Sequence, residues 1–372
     1  MQGENNLGKL RRVLEAKELD ALVILDPGFA SWALGAPRSI FGGGGIAVLF
    51  DDSGVSVVTH LLEFWRISDK LQGVEVYVYT RRADDEVVEP GRIVGPNLKD
   101  ALVRLLGEGK RVGCDRSACT QLQGVKGVEA LDVTSDLWSL RMVKEDWELR
   151  RMVEALDIAE RALRKTMAML SEGITELEVA GEHERILRIY GSETHAFATH
   201  GSLTIVAFGA NTAYPHWDPS DRRLTGNEPV LIDTGAVKRG YCSDVTRVTW
   251  YPAGSGPREW RELVERVVAA VGEAIDRVEP GIEASVVDEV ARRALGPYAK
   301  WFIHSTGHGI GVEVHEPPRV APGEKTRLEK GMVFTIEPGV YLRGRFGVRI
   351  EQMVVVDSRG ARVLNKLPMT LE

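Results

Sequence analysis

VLIDTGAVKRGYCSDVTRVTW, residues 230–250, sets Asp233 after the apolar run Val230-Leu231-Ile232 and Asp244 in a following strand, with Gly235 and Gly240 permitting a hairpin between. A single aspartate at a strand end is commonly a turn cap. The pattern recurs, however. MVFTIEPGVY puts Glu337 after Val333-Phe334-Thr335-Ile336, and GVRIEQMVVV puts Glu351 ahead of Met353-Val354-Val355-Val356. Burying one unpaired carboxylate costs several kcal/mol even after relaxation. Four of them converging inside strand cores would need a counter-charge, which two divalent cations supply.

The stretch HSTGHGIGVEVHEPP, residues 304–318, holds three of the eight histidines. His308, between Gly307 and Gly309, offers a neutral imidazole to complete the set. Oxygen and nitrogen donors without a thiolate suit Mn²⁺, Co²⁺, Zn²⁺ or Fe²⁺. Five ligands can serve two metals only if some carboxylates are shared, with the ions roughly 3–4 Å apart.

Composition narrows the alternatives. Net charge −7 argues against a nucleic-acid partner, which calls for a basic face. No apolar run reaches the length of a membrane span, and the N-terminus has no signal-like apolar stretch, so a soluble cytoplasmic protein is expected. Cys114, Cys119 and Cys242 lack zinc-site spacing and are expected to form no disulfide framework, which fits a reducing compartment. FGGGGIAV (41–48) is glycine-rich but lacks the Gly-Lys-Ser/Thr of a phosphate loop.

The chain divides in two. Residues 1–138 alternate helix and strand signals: LGKLRRVLEAKEL as a helix, DALVILD as a buried strand, and GIAVLF with VSVVTH as a hairpin around Asp-Asp-Ser-Gly. VEVYVYT and KRVGCD follow as strands, and KDALVRLLGEG as a helix closed by glycine. This is an α/β domain. A linker is expected at 139–147 and a second domain at 148–372, giving an α+β chain overall. The second domain contains an echo. A long helix, a Gly-Ile turn and a second helix occur around Gly173, with Thr175 and Glu178 as a capping box, and again around Gly281. A duplicated half packed about a pseudo-two-fold axis would explain this.

These motifs together, Asp233 and Asp244, GHGIGVEVHEPP, TIEPG at Glu337 and GVRIE at Glu351, resemble the "pita-bread" metallopeptidase family of methionine aminopeptidase, aminopeptidase P and Xaa-Pro dipeptidase (prolidase). The resemblance covers the second domain almost throughout. It implies that Asp233 chelates one metal, that Asp244 and Glu351 bridge, and that His308 and Glu337 bind the second metal. It gives His216 and His315 substrate-facing roles, makes Glu337 a proton shuttle, and gives Arg349 a part in holding Glu351 or another acid. The N-terminal domain resembles that of creatinase and prolidase, which methionine aminopeptidases generally lack. Creatinase has the fold without the metal ligands, and all five positions are filled here. The implied activity is cleavage of Xaa-Pro dipeptides by a homodimer carrying two divalent ions (Mn, Co or Zn). The alternatives are an aminopeptidase P acting on longer peptides, and a non-catalytic binding scaffold. His195 and His200 are read as ordinary loop or strand positions rather than lining of a substrate entrance, and His304 stands between a supporting and a purely structural role.

Overall fold

In a computed structural model the protein is described at residues 4–81, 88–89, 91–197 and 204–371, and it forms two compact units, Met1–Arg141 and Met142–Glu372. His200 lies outside the described residues.

The first unit is built on a sheet of strands β1 (Ala21–Ile24), β2 (Ala47–Asp51), β3 (Gly54–His60), β4 (Glu75–Tyr79), β5 (Ile93–Gly95), β6 (Lys110–Cys114) and β7 (Val128–Asp132), ordered β5-β4-β3-β2-β1-β6-β7. The β2–β3 hairpin pairs Asp51 with Gly54 around the Asp-Asp-Ser-Gly turn, as the sequence predicts. β1 pairs antiparallel with β2, while the β3–β4, β4–β5, β1–β6 and β6–β7 pairs are parallel. Helices α1 (Leu7–Lys17), α2 (Pro27–Leu34), α3 (Phe64–Lys70), α4 (Leu98–Leu106), α5 (Arg116–Leu122) and α6 (Thr134–Met142) intervene. Parallel strands need covered faces and therefore read as continuous apolar runs. Val23, Leu49, Val58, Leu102 and Val112 share such a core.

One expectation fails here. Cys114 and Cys119 are joined by a disulfide, and Cys242, which is in no disulfide, is buried in the second unit. Cys114 ends β6 and Cys119 lies in the first turn and a half of α5. The strand-to-helix turn brings their Cα atoms to 5.2 Å, within bridging range. Sequence spacing does not reveal that reversal, and cysteine usage no longer argues for a reducing compartment.

In the second unit, α7 (Asp146–Met167) and α8 (Glu176–Ile189) precede the first set of strands. These are β8 (Ile205–Phe208), β9 (Glu228–Thr234), the short pair β10 (Val237–Lys238) and β11 (Tyr241–Cys242), and β12 (Val245–Tyr251). Helices α9 (Arg258–Arg277) and α10 (Ala284–Leu295) precede the second set: β13 (Gly307–Gly309), β14 (Glu316–Val320), β15 (Val333–Ile336), β16 (Gly339–Leu342), β17 (Phe346–Arg349), β18 (Gln352–Asp357) and β19 (Gly360–Val363). The two main sheets are ordered β12-β9-β8 and β14-β13-β15-β18-β19. Residues 139–147, the expected linker, contain the end of α6 and the start of α7.

The sequence echo is repeated bond for bond. Gly173 N–H donates to Leu224 O at 2.8 Å, and Leu224 N–H to Ile174 O at 2.8 Å. In the second half, Gly281 N–H donates to Leu328 O at 2.7 Å, and Leu328 N–H to Ile282 O at 2.8 Å. Both glycines sit in the left-handed region, φ 90° and 92°, where a side chain would be strained. Thr175 and Glu178 form the expected capping box of α8. α9 and α10 bury facing stripes, with Leu263, Val267, Ala270, Val271 and Ala274 of the former and Val287, Ala291 and Ala294 of the latter in one core with Phe334 and Val354. Among the described residues, no helix is long and apolar enough to cross a membrane.

Candidate metal centre

The carboxylates lie where the two main sheets meet. Asp233 is the penultimate residue of β9, the central strand of its sheet, and its register partner is Thr246 of β12. Asp244 precedes β12, Glu337 follows β15 and Glu351 precedes β18. Glu351 N–H donates to Thr246 O at 3.3 Å across the seam, and Glu337 N–H to Thr306 O at 2.7 Å. Backbone bonds therefore hold the carriers of these side chains in place. His308 occupies the middle of β13 between two glycines with no room for a side chain. A Cβ on Gly307 would lie 1.8 Å from Thr335 O, and one on Gly309 would lie 2.2 Å from Pro317 O.

Ligand atoms of Asp244, His308 and Glu351 all lie within 4.8 Å of one another. His308 Nε2 is 3.3 Å from Glu337 Oε1 and 3.7 Å from Asp244 Oδ2. His308 Nδ1 is 3.1 Å from Gly309 O. Donation there would leave Nε2 able to give its electron pair to a cation in place of its contact with Glu337, the arrangement metal-binding imidazoles use. Asp233 joins the group through Arg349, whose Nη2 donates to Asp233 Oδ2 at 2.7 Å. Arg349 thus grips Asp233, and its Nε donates to Thr246 Oγ1 at 3.2 Å, while Thr246 Oγ1 in turn donates to Glu351 Oε2 at 2.9 Å.

Three buried oxygens in this cluster, Asp233 Oδ1, Asp244 Oδ1 and Glu351 Oε1, have no hydrogen-bond partner. Buried carboxylate oxygens rarely go unsatisfied. Burial, then the charges of the neighbouring acids, push the Asp244 and Glu351 carboxyls well above the usual range. Burial would raise Glu337 too, but the His308 hydrogen bond and the charges of His308, His304 and Arg349 hold it down to about 2. Burial lowers His308, but the Glu337 hydrogen bond and charge outweigh it and the net shift is upward. Clustered oxygen and nitrogen donors, with buried oxygens left unsatisfied, fit divalent cations.

The remaining predicted residues stand around this cluster. The His315 ring packs edge-on against His308 with centroids 4.3 Å apart, and the side chain reaches solvent. His216 is exposed and follows Pro215, whose carbonyl accepts from Arg349 Nη1 at 3.2 Å. His304 belongs to a supporting chain. Arg349 Nη1 donates to Tyr341 OH at 2.8 Å, and Tyr341 OH lies 2.8 Å from His304 Nε2. Burial pushes the Tyr341 phenol up to about 12. Sequence reasoning missed Tyr341 and Thr246, although each lies close to an acid already singled out, four residues after Glu337 and two after Asp244. His195 is buried among Thr204, Thr234 and His183.

Residues 150–358 match metallopeptidase family M24, and residues 7–143 match the creatinase/prolidase N-terminal domain. The chain belongs to metallopeptidase family M24. It is 38% identical over 237 residues to an Xaa-Pro dipeptidase of Pyrococcus furiosus, covering 63% of this chain and 65% of that protein. It is 37% identical over 235 residues to an uncharacterized peptidase of Staphylococcus aureus, with the same coverage. The match thus spans a little under two thirds of the length of these curated relatives. Over the whole fold, an X-Pro aminopeptidase from Thermotoga maritima superposes with a TM-score of 0.83 at 26% identity, covering 98% of each chain. A prolidase from Pyrococcus horikoshii superposes with 0.81 at 28% identity, again covering 98% of each. The expected architecture, an N-terminal creatinase/prolidase-like α/β domain followed by a pita-bread domain, is therefore the observed one.

Proposed function

We propose that the chain is a dinuclear metal-dependent Xaa-Pro dipeptidase, with its metals held by Asp233, Asp244, His308, Glu337 and Glu351. The observation that carries this is the clustering of Asp244, His308 and Glu351 ligand atoms within 4.8 Å of one another, beside buried oxygens of Asp233, Asp244 and Glu351 that have no hydrogen-bond partner. When bound, divalent ions supply Lewis acidity that makes water nucleophilic near neutral pH and polarises the scissile carbonyl.

The protein's own groups do the rest. Glu337, a proposed ligand beside the attacking water, accepts its proton and delivers it to the prolyl nitrogen as the C–N bond breaks. That nitrogen belongs to a tertiary amide with no N–H of its own, so the delivered proton completes the leaving amine. His216 and His315, both solvent-facing, donate to the oxyanion that develops on the carbonyl oxygen. Arg349 holds Asp233 in position.

The domain junction is assigned to residues 139–147, Mn, Co or Zn to the site, and a cytoplasmic homodimer to the working form. Aminopeptidase P activity is the second reading, favoured by the likeness to the Thermotoga X-Pro aminopeptidase. The test is hydrolysis of Ala-Pro and Ala-Pro-Ala after chelation and readdition of each metal singly. Metal-restored cleavage of Ala-Pro alone supports the dipeptidase. Preference for Ala-Pro-Ala selects the second reading. No metal uptake and no cleavage of either peptide refutes both, in favour of a binding scaffold.

A further inference from the structure

Glu176, the first residue of α8, is completely buried, yet its partners are all on one distant segment. Oε1 accepts from Phe208 N–H at 2.8 Å and Asn211 Nδ2 at 2.9 Å. Oε2 accepts from Trp217 Nε1 at 2.9 Å, Ser220 N–H at 3.1 Å and Ser220 Oγ at 2.6 Å. Five donors, from residues 208 to 220, thus end on one carboxylate. The segment they enclose carries Pro215 and His216. Elsewhere this segment is pinned to the strand pair that leads into the metal centre. Thr212 Oγ1 accepts from Gly347 N–H at 2.8 Å, and Pro215 O accepts from Arg349 Nη1 at 3.2 Å. A Cβ on Gly347 would lie 2.1 Å from Thr212 O, so the two backbones are in direct contact.

The duplicated half supplies a control within the chain. The position matching Glu176 is Ala284. Glu176 N–H donates to Arg222 O at 3.1 Å, and Ala284 N–H donates to Thr326 O at 2.9 Å. The same helix start and turn therefore form without a carboxylate. The repeat needs no acid there, but the segment bearing His216 does.

We infer that Glu176 is a positioning residue for catalysis, whose carboxylate fixes the 208–220 segment and so holds His216 at the substrate. The inference rests on the reading that His216 acts on the substrate. Glu176→Gln keeps the shape but turns one end of the side chain into a donor, so it can no longer accept at both ends. Misplacing a catalytic group by about 1 Å can cost up to 100-fold in rate, so kcat is expected to fall roughly 10- to 100-fold with little change in KM.

The experiment is a double-mutant cycle with metal-loaded E176Q, H216A and E176Q/H216A, reading kcat and KM on Ala-Pro. Metal stoichiometry and amide hydrogen exchange of peptides spanning 208–220 are read alongside. Support is a kcat loss in E176Q that vanishes in the H216A background, with two metals retained and faster exchange confined to that segment. Additive losses overturn the positioning role while leaving the reading of His216 standing. An unchanged kcat in H216A overturns that reading itself, and the inference with it. Should E176Q fail to fold, Trp217→Phe removes one donor from the loop side, and the same cycle with H216A decides between the same outcomes.

Discussion

Lys144→Met is expected to destabilise the second unit by about 3–5 kcal/mol, the usual cost of breaking a buried ion pair from one side. Lys144 Nζ lies 3.2 Å from Glu316 Oε2, and both side chains are 1% exposed. At an effective dielectric of about 20, charges at that distance attract by about 5 kcal/mol, and desolvation of both groups offsets most of it. Removing the cation leaves the carboxylate its desolvation cost without the attraction of Lys144. The carboxylate has little room to move, because a Cβ on Gly311 would sit 2.7 Å from both of its oxygens. Adding Glu316→Gln should then recover stability. Glutamine can still accept from Glu313 N–H, now at 3.0 Å from Oε1, and it carries no charge. Urea denaturation of wild type, K144M, E316Q and K144M/E316Q at pH 7 measures the cycle. In a thermal scan the K144M shift would be about 6–20 °C for a unit of this size. A K144M cost below about 1 kcal/mol, or a double variant less stable than K144M, would refute the reasoning.

Removing the metals should lower stability, because the clustered carboxylates then face one another with only Arg349 and His308 to offset their charge. Saturating Mn²⁺ or Co²⁺ at 100 times Kd is expected to restore about 2.7 kcal/mol, read as a melting-temperature difference between chelated and reloaded protein. Glu351→Gln should reduce bound metal below two equivalents by elemental analysis, and unchanged stoichiometry would remove Glu351 from the ligand set. Gly309→Ala forces a Cβ to within 2.2 Å of Pro317 O, so β13 must shift and His308 with it. The expected result is weakened metal binding in calorimetry with near-normal far-UV dichroism. His183 and His195 are buried, and burial lowers them to about 3 and about 4. Their folded pKa values lie below the unfolded value of about 6.5, so the unfolded chain binds the extra protons. Stability is therefore intact above pH 6.5 and declines as pH falls toward 4, by up to about 1.4 kcal/mol per pH unit for each histidine. Denaturation series at pH 7, 6 and 5 should show this slope, and His183→Asn should flatten it.

The five residues proposed as ligands stand out in the sequence because each breaks a local rule. Asp233, Asp244, Glu337 and Glu351 interrupt apolar strand patterns, and His308 sits between glycines that leave no space for substitution. The repeated helix pairs were legible from Gly173 and Gly281, whose backbone conformation demands glycine. Glu176 was not. It sits beside the capping box of Thr175 and Glu178, where an acid at a helix start needs no further reason, and its partners lie 32 to 44 residues away. Lys144 and Glu316 are 172 residues apart, and no local pattern couples them. The Cys114–Cys119 bridge escaped for a related reason, since a spacing of five is uninformative until a strand is known to turn into a helix between them.

Asp233 and Asp244 come from the first repeat, and His308, Glu337 and Glu351 from the second. Neither repeat alone carries the whole of the proposed ligand set. On the proposed assignment, metal uptake becomes possible only once the two halves have packed together, so it reports completed folding rather than the folding of either half.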